Sequence, residues 1–106
     1  MSPVERAFVI CQNRNAILST LLAVYPGSLQ GEVLFRSMLG AWPTYTRLFA
    51  ARDLSYLEDK GYALRKHRLS GRPTTSETPW SEALWQLTAR GNEVANQLTH
   101  DPALEV

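Results

Sequence analysis

The stretch from Trp42 to Arg72, WPTYTRLFAARDLSYLEDKGYALRKHRLSGR, constrains the fold more than any other part of the chain. It reads in order as a helix, a glycine stop, a strand and a basic turn. Thr44 suits the N-cap of that helix, which runs to Lys60, and Gly61 stands where a helix ends in the left-handed region. With Leu54 at the centre of the buried face, Arg47, Ala50, Ala51, Leu57 and Glu58 share its side. Tyr45, Leu48, Phe49, Arg52, Tyr56 and Asp59 then fall opposite, a face that mixes aromatics, one arginine and one acid. Tyr62 to Leu69 follows as a strand. The run Arg65, Lys66, His67, Arg68 and Arg72 meets no acid until Glu77.

The segments before and after read as support. Ser2-Pro3-Val4-Glu5 combines capping-box spacing with proline at the first helical position. Val4, Ala7, Phe8, Cys11, Leu18, Leu21 and Leu22 then recur at helical spacing. Ala16 to Val24 is apolar nearly all round, so this helix needs more than one neighbour. It is either central to the core or half of a dimer seam. Tyr25-Pro26-Gly27-Ser28 makes a turn, and Ser28-Leu29-Gln30 suits a brief extended segment. Gly31-Glu32 opens a second helix with Val33, Leu34, Met38 and Leu39 inward and Gly40 as its stop. Pro43 turns the chain away from helix. Ser70 to Ser81 is rich in Gly, Pro, Ser and Thr and reads as a loop, and Glu82 to Thr88 as the returning strand. Thr88 caps a last helix through about Leu98, packed by Val94, Ala95 and Leu98. The expected fold is α+β and mainly α: three helices, a two-stranded hairpin and a C-terminal helix. Residues 1–99 form one domain and 100–106 a frayed tail.

Charge decides little globally. Eleven Lys and Arg against ten Asp and Glu leave a net charge of +1, so any contact with nucleic acid must come from local clustering. Cys11 is the one cysteine, which excludes an internal disulfide and fits a reducing compartment. No run is expected to span a bilayer and no signal-peptide pattern opens the chain, so the expectation is a cytoplasmic protein. His67 and His100 lack cysteine or carboxylate at ligand spacing, which predicts no metal. With no phosphate-binding glycine loop and no nucleophile beside a base, neither a cofactor nor an enzymatic activity is expected.

Two phrases extend the reading. Arg52-Asp53-Leu54-Ser55-Tyr56-Leu57-Glu58-Asp59-Lys60-Gly61-Tyr62 resembles the end of the recognition helix in bacterial winged helix-turn-helix regulators. Trp85-Gln86-Leu87-Thr88-Ala89-Arg90-Gly91 resembles the second wing strand and the start of the closing helix. The likeness covers the chain from the first helix to Leu98 and is greatest to the regulators around the ArsR, MarR and PadR families. It implies sequence-specific binding of double-stranded DNA by a homodimer acting in transcription regulation, with helix 44–60 in the major groove and a basic wing, 65–72, on the backbone. Thr44, Tyr45, Thr46, Arg47 and Arg52 are the helix candidates for DNA contact, Arg52 foremost for a base edge. Arg65, Lys66, His67, Arg68 and Arg72 are the wing candidates. The same cations also serve as a solubilising strand edge.

A second reading comes from the mixed face of the third helix. Leu48, Phe49 and Tyr56 are poor phosphate ligands but good interface anchors. Asp53, Glu58 and Asp59 offset Arg47, Arg52 and Lys60. A winged-helix protein-interaction adaptor, of the kind phages and mobile elements encode, fits that face. A rotation of the helix by some 40° would instead bury Phe49 and Tyr56 against the first or second helix.

Overall fold

A computed structural model describes residues 2–97 together with Asp101 and Leu104. Over these residues the chain is α+β and mainly helical, in the order α1 (Pro3–Val24), β1 (Leu29–Gln30), α2 (Gly31–Ala41), α3 (Arg47–Asp59), β2 (Ala63–Lys66), β3 (Leu84–Leu87) and α4 (Ala89–Ala95). The strands form an antiparallel sheet in the order β1-β3-β2. The brief extended segment at Leu29-Gln30 is therefore a true strand, pairing Leu29 with Trp85 and Gln30 with Leu84. It turns the expected two-stranded hairpin into a three-stranded sheet.

Local chemistry fixes most element ends. The Ser2 hydroxyl accepts from Glu5 N at 3.1 Å and Pro3 opens α1. Gly61, at φ +76°, follows α3 in the left-handed region that a side chain disfavours. The Thr88 hydroxyl accepts from Gly91 N at 3.0 Å and donates to Gly61 O at 2.6 Å, tying the start of α4 to the end of α3. Gly91 itself passes so close to the Tyr62 carbonyl that a Cβ there would collide with backbone.

The core lies between the C-terminal half of α1, the inner faces of α2 and α3, and the sheet. Ile17, Leu18, Leu21, Leu34, Leu54, Leu57 and Trp85 are all buried in it. Deleting one such leucine to alanine costs about 2–5 kcal/mol. The Trp85 indole N–H is satisfied by Trp80 O at 2.9 Å.

Several expectations need correction. The apolar stripe of α1 does not stay buried: residues 2–8, Val4 and Phe8 among them, are exposed. At 22 residues α1 is about 33 Å long, and its first two turns run beyond the shorter helices it packs on. By length and composition it is also apolar enough to cross a membrane, contrary to expectation, although its inner half serves as a core helix. On α2, Phe35 is buried where Val33 was expected, and Gly40 does not stop the helix, which ends at Ala41 with Trp42 N on Met38 O. α3 begins at Arg47, not Thr44: the Thr46 hydroxyl is the cap and accepts from Phe49 N at 3.1 Å. Strands β2 and β3 are shorter than read. Leu98, expected in α4, lies outside the described residues. Asp101 and Leu104 are buried, with Leu104 O accepting from Asn15 Nδ2 at 2.8 Å, so this part of the tail is packed rather than frayed.

Candidate nucleic-acid interface

The residues expected to face a ligand divide into those the fold has engaged and those it leaves open. Tyr45 belongs to the first group. It sits in the core, 5% exposed, and its hydroxyl donates to Asp53 Oδ2 at 2.7 Å. Burial, and then the Asp53 carboxylate, push the Tyr45 phenol well above its ordinary pKa. Asp53 is fully buried and also accepts from Arg14 Nε at 3.2 Å and from Arg52 Nε and Nη2 at 2.9 and 3.2 Å. A buried carboxylate needs this many donors.

Arg52 is consequently half-buried on Asp53, its guanidinium 4.6 Å from the centre of the Phe49 ring. The outward Arg52 of the sequence reading is corrected: the buried face of α3 is Ala50, Asp53, Leu54 and Leu57, turned away from Arg47 and Glu58 toward Asp53, and Arg52 lies against that carboxylate. Arg47 is exposed but also committed. It grips Glu32 of α2 in a fork, Nη1 to Oε2 at 2.7 Å and Nη2 to Oε1 at 2.5 Å, over the Phe35 ring. That guanidinium holds the Glu32 carboxyl below its ordinary range. Thr44 and Thr46 are exposed ahead of α3, although the Thr46 hydroxyl is used as the cap.

Arg65 departs furthest from expectation. It is 5% exposed and makes two 3.0 Å hydrogen bonds to Glu58, with Nη1 on Thr78 O at 2.7 Å. Its guanidinium lies 4.9 Å from the Trp85 ring. Strand alternation explains this: Ala63 and Arg65 face the core, Leu64 and Lys66 the other side. Arg65 is thus an internal strut and no part of an exposed basic surface.

Lys66, His67, Arg68 and Arg72 remain open, His67, Arg68 and Arg72 being exposed and Lys66 half-buried. No carboxylate pairs with Lys66, Arg68 or Arg72 among the described residues, whereas Arg14, Arg36, Arg47, Arg52 and Arg65 each meet one. These cations ride on a folded tip. His67 N donates to Arg72 O and Gly71 N to His67 O, both at 2.8 Å, and Thr74 N returns to Arg65 O at 2.9 Å. Gly71 supplies the left-handed φ of +69° that closes the turn. The expected loop at 70–81 therefore starts as a tight turn that reverses the chain, with Lys66 bridged to Pro73.

The apolar face expected on α3 is present in part. Leu48 and Phe49 are exposed, and a groove of about 420 Å³ is lined by Leu48, Phe49, Ala51, Arg52 and Ser55. Tyr56 is not part of it. Its hydroxyl donates to Asp101 at 2.8 Å, and the Arg14 guanidinium lies 3.9 Å over its ring. Asp101 also accepts from the Tyr62 hydroxyl at 2.6 Å. Asp53, buried on α3, and Leu69, exposed at the turn, are two residues to which the sequence reading assigns no role. Asp53 stands three after Ala50 and four before Leu57, a spacing that put it on the core side. Leu69 is an apolar residue inside a basic run. No family model, curated protein or solved structure matches the chain.

Proposed function

We propose that the chain is a winged-helix domain that binds double-stranded DNA, in the manner of the small regulators its two phrases resemble. The element order and the β1-β3-β2 sheet support the fold half of that reading. The observation that carries the functional half is the partition of cations. Arginines at the base of the sheet and along α3 are paired with carboxylates, while Lys66, Arg68 and Arg72 on the hairpin have no acid beside them among the described residues. Cations held open on a rigid ribbon suit phosphate oxygens. The start of α3, with Thr44, the backbone N–H groups after Thr46, and Leu48, is the part that would enter the major groove. Two copies on a two-fold operator would set half-sites about one helical turn apart.

Fluorescence anisotropy against operator-length duplexes, repeated over a salt series, tests this. Three phosphate contacts predict a slope of log K against log salt near −3 per protomer, about −0.9 for each. Binding that is undetectable at 20–50 mM salt, roughly the low end of such a series, would overturn it.

A second reading is favoured by the groove on α3. Leu48 is 76% exposed beside Phe49, and Arg47 and Arg52 are bound to Glu32 and Asp53. An apolar groove with its flanking charges neutralised suits a partner protein better than phosphate. In this adaptor reading, Leu48→Ala with Phe49→Ala abolishes capture of a protein partner while DNA affinity is unaffected.

A further inference from the structure

Leu69 is the most exposed large hydrophobic residue described, at 82%, and it sits at the apex of the basic hairpin. A lone surface leucine is ordinary, so its setting has to carry the argument. That setting is a turn whose polar groups are spent on holding it rigid. The His67 imidazole accepts at Nδ1 from Leu69 N at 3.2 Å and from Ser70 N at 3.4 Å. The Ser70 hydroxyl accepts from Arg72 N at 3.3 Å. Together with the pairing of His67 and Arg72 across the turn, these bonds hold the turn that leaves Leu69 exposed at its apex. Arg68 precedes it and Arg72 follows three residues later, so the apolar tip is flanked by cations.

From this geometry we infer that Leu69 is an apolar wedge that enters the minor groove of duplex DNA and opens a base step, bending the helix. The inference rests on the DNA-binding reading above and deepens it. The minor groove is about 6 Å wide, which admits the apex of a tight turn but not a helix. Proteins that bend DNA from that side insert leucine or a similar residue between base steps and hold the flanking phosphates with cations. Pyrimidine–purine steps unstack most easily, so the preferred site contains a TA or CA step beneath the tip. One leucine among three cations is too small an apolar surface for lasting attachment to a bilayer.

The test uses the full chain and duplexes of about 30 base pairs labelled at both ends, read by energy transfer for bending and by anisotropy for affinity. Wild type should shorten the end-to-end distance. Leu69→Ser should restore a straight duplex and lower affinity about tenfold with an unchanged salt slope, as loss of one buried aliphatic side chain does. Leu69→Met should retain both bend and affinity. Arg68→Ala should keep the bend and reduce the salt slope by about one. Equal bending and affinity in wild type and Leu69→Ser would overturn the wedge and leave DNA binding standing. Failure of wild type to bind any duplex would overturn both. Leu69-dependent binding to phosphatidylserine vesicles, with no bend in DNA, would assign the tip to a membrane surface instead and overturn the wedge.

Discussion

Arg65 and Glu58 face each other through two 3.0 Å hydrogen bonds, joining the last turn of α3 to the first strand of the basic hairpin. Because the Arg65 side chain is 6% exposed, this pair fixes the angle at which the hairpin leaves the helix. The cations beyond it are presented by that angle. Removing one partner strands the other, and Thr78 O loses its donor as well. Arg65→Ala should therefore destabilise the fold by about 2–4 kcal/mol, and Arg65→Lys should rescue little because the fork is lost. Arg68→Ala should change stability by less than about 0.5 kcal/mol. Urea midpoints of the variants decide it; equal midpoints for Arg65→Ala and Arg68→Ala would mean Arg65 is no strut.

Asp53 gathers Arg14, Arg52 and Tyr45, which come from α1, α3 and the segment before α3. Asp53→Asn keeps the volume but removes the charge that two guanidinium groups face. The expected loss is about 3 kcal/mol, a fall in Tm of roughly 12 °C or more for a chain of this size. Tyr45→Phe removes one neutral donor and should cost about 1–1.5 kcal/mol. Thermal unfolding followed by circular dichroism gives both values, and the order of the two losses is the sharper check.

The start of α1, the stop after α3 and the start of α4 were legible in the sequence, because Ser2, Gly61 and Thr88 act on backbone groups within a few residues. The start of α3 after its Thr46 cap and the end of α2 beyond Gly40 were not. Helix phase was not legible either, because it is set by partners far along the chain. Asp53 is drawn inward by Arg14, 39 residues earlier, and that rotation moves Arg52 off the open face. The packed tail was hidden for the same reason. Asp101 is held by Tyr56 and Tyr62, 45 and 39 residues before it, and nothing in the local run His100 to Val106 signals them. The basic cluster was legible as a cluster, yet only strand alternation separates Arg65 from Lys66.

The same tyrosines predict a response to alkali. Burial, followed by the bond to Asp53 for Tyr45 and to Asp101 for Tyr56 and Tyr62, raises all three phenols above the ordinary value of 10.0. Folded phenols then keep protons that unfolded ones release. Stability is fully present below pH 10 and falls as pH rises above it, by up to about 1.4 kcal/mol per pH unit for each retained proton. Tyrosinate absorbance should accordingly rise for these three residues in step with loss of the far-ultraviolet helix signal. Ionisation of all of them in a chain that remains folded would contradict the assignment of their hydrogen bonds.

Two glycines inside helices should respond in opposite senses to alanine. Gly91 and Gly40 both lie in helical backbone, where alanine is favoured over glycine by about 1 kcal/mol. At Gly40 a Cβ meets nothing within 4 Å, so Gly40→Ala should realise most of that gain. At Gly91 it would meet the Tyr62 carbonyl, and the Leu87 side chain lies at 3.1 Å. The leucine can shift, but the carbonyl is anchored by Thr88 N at 3.0 Å and belongs to the chain entering β2. α4 must then move off the sheet, and overpacking of this kind costs about 1–3 kcal/mol or more. Since that exceeds the gain in propensity, Gly91→Ala should lower Tm while Gly40→Ala raises it. A Gly91→Ala chain as stable as wild type would mean that α4 does not sit against Tyr62 as described.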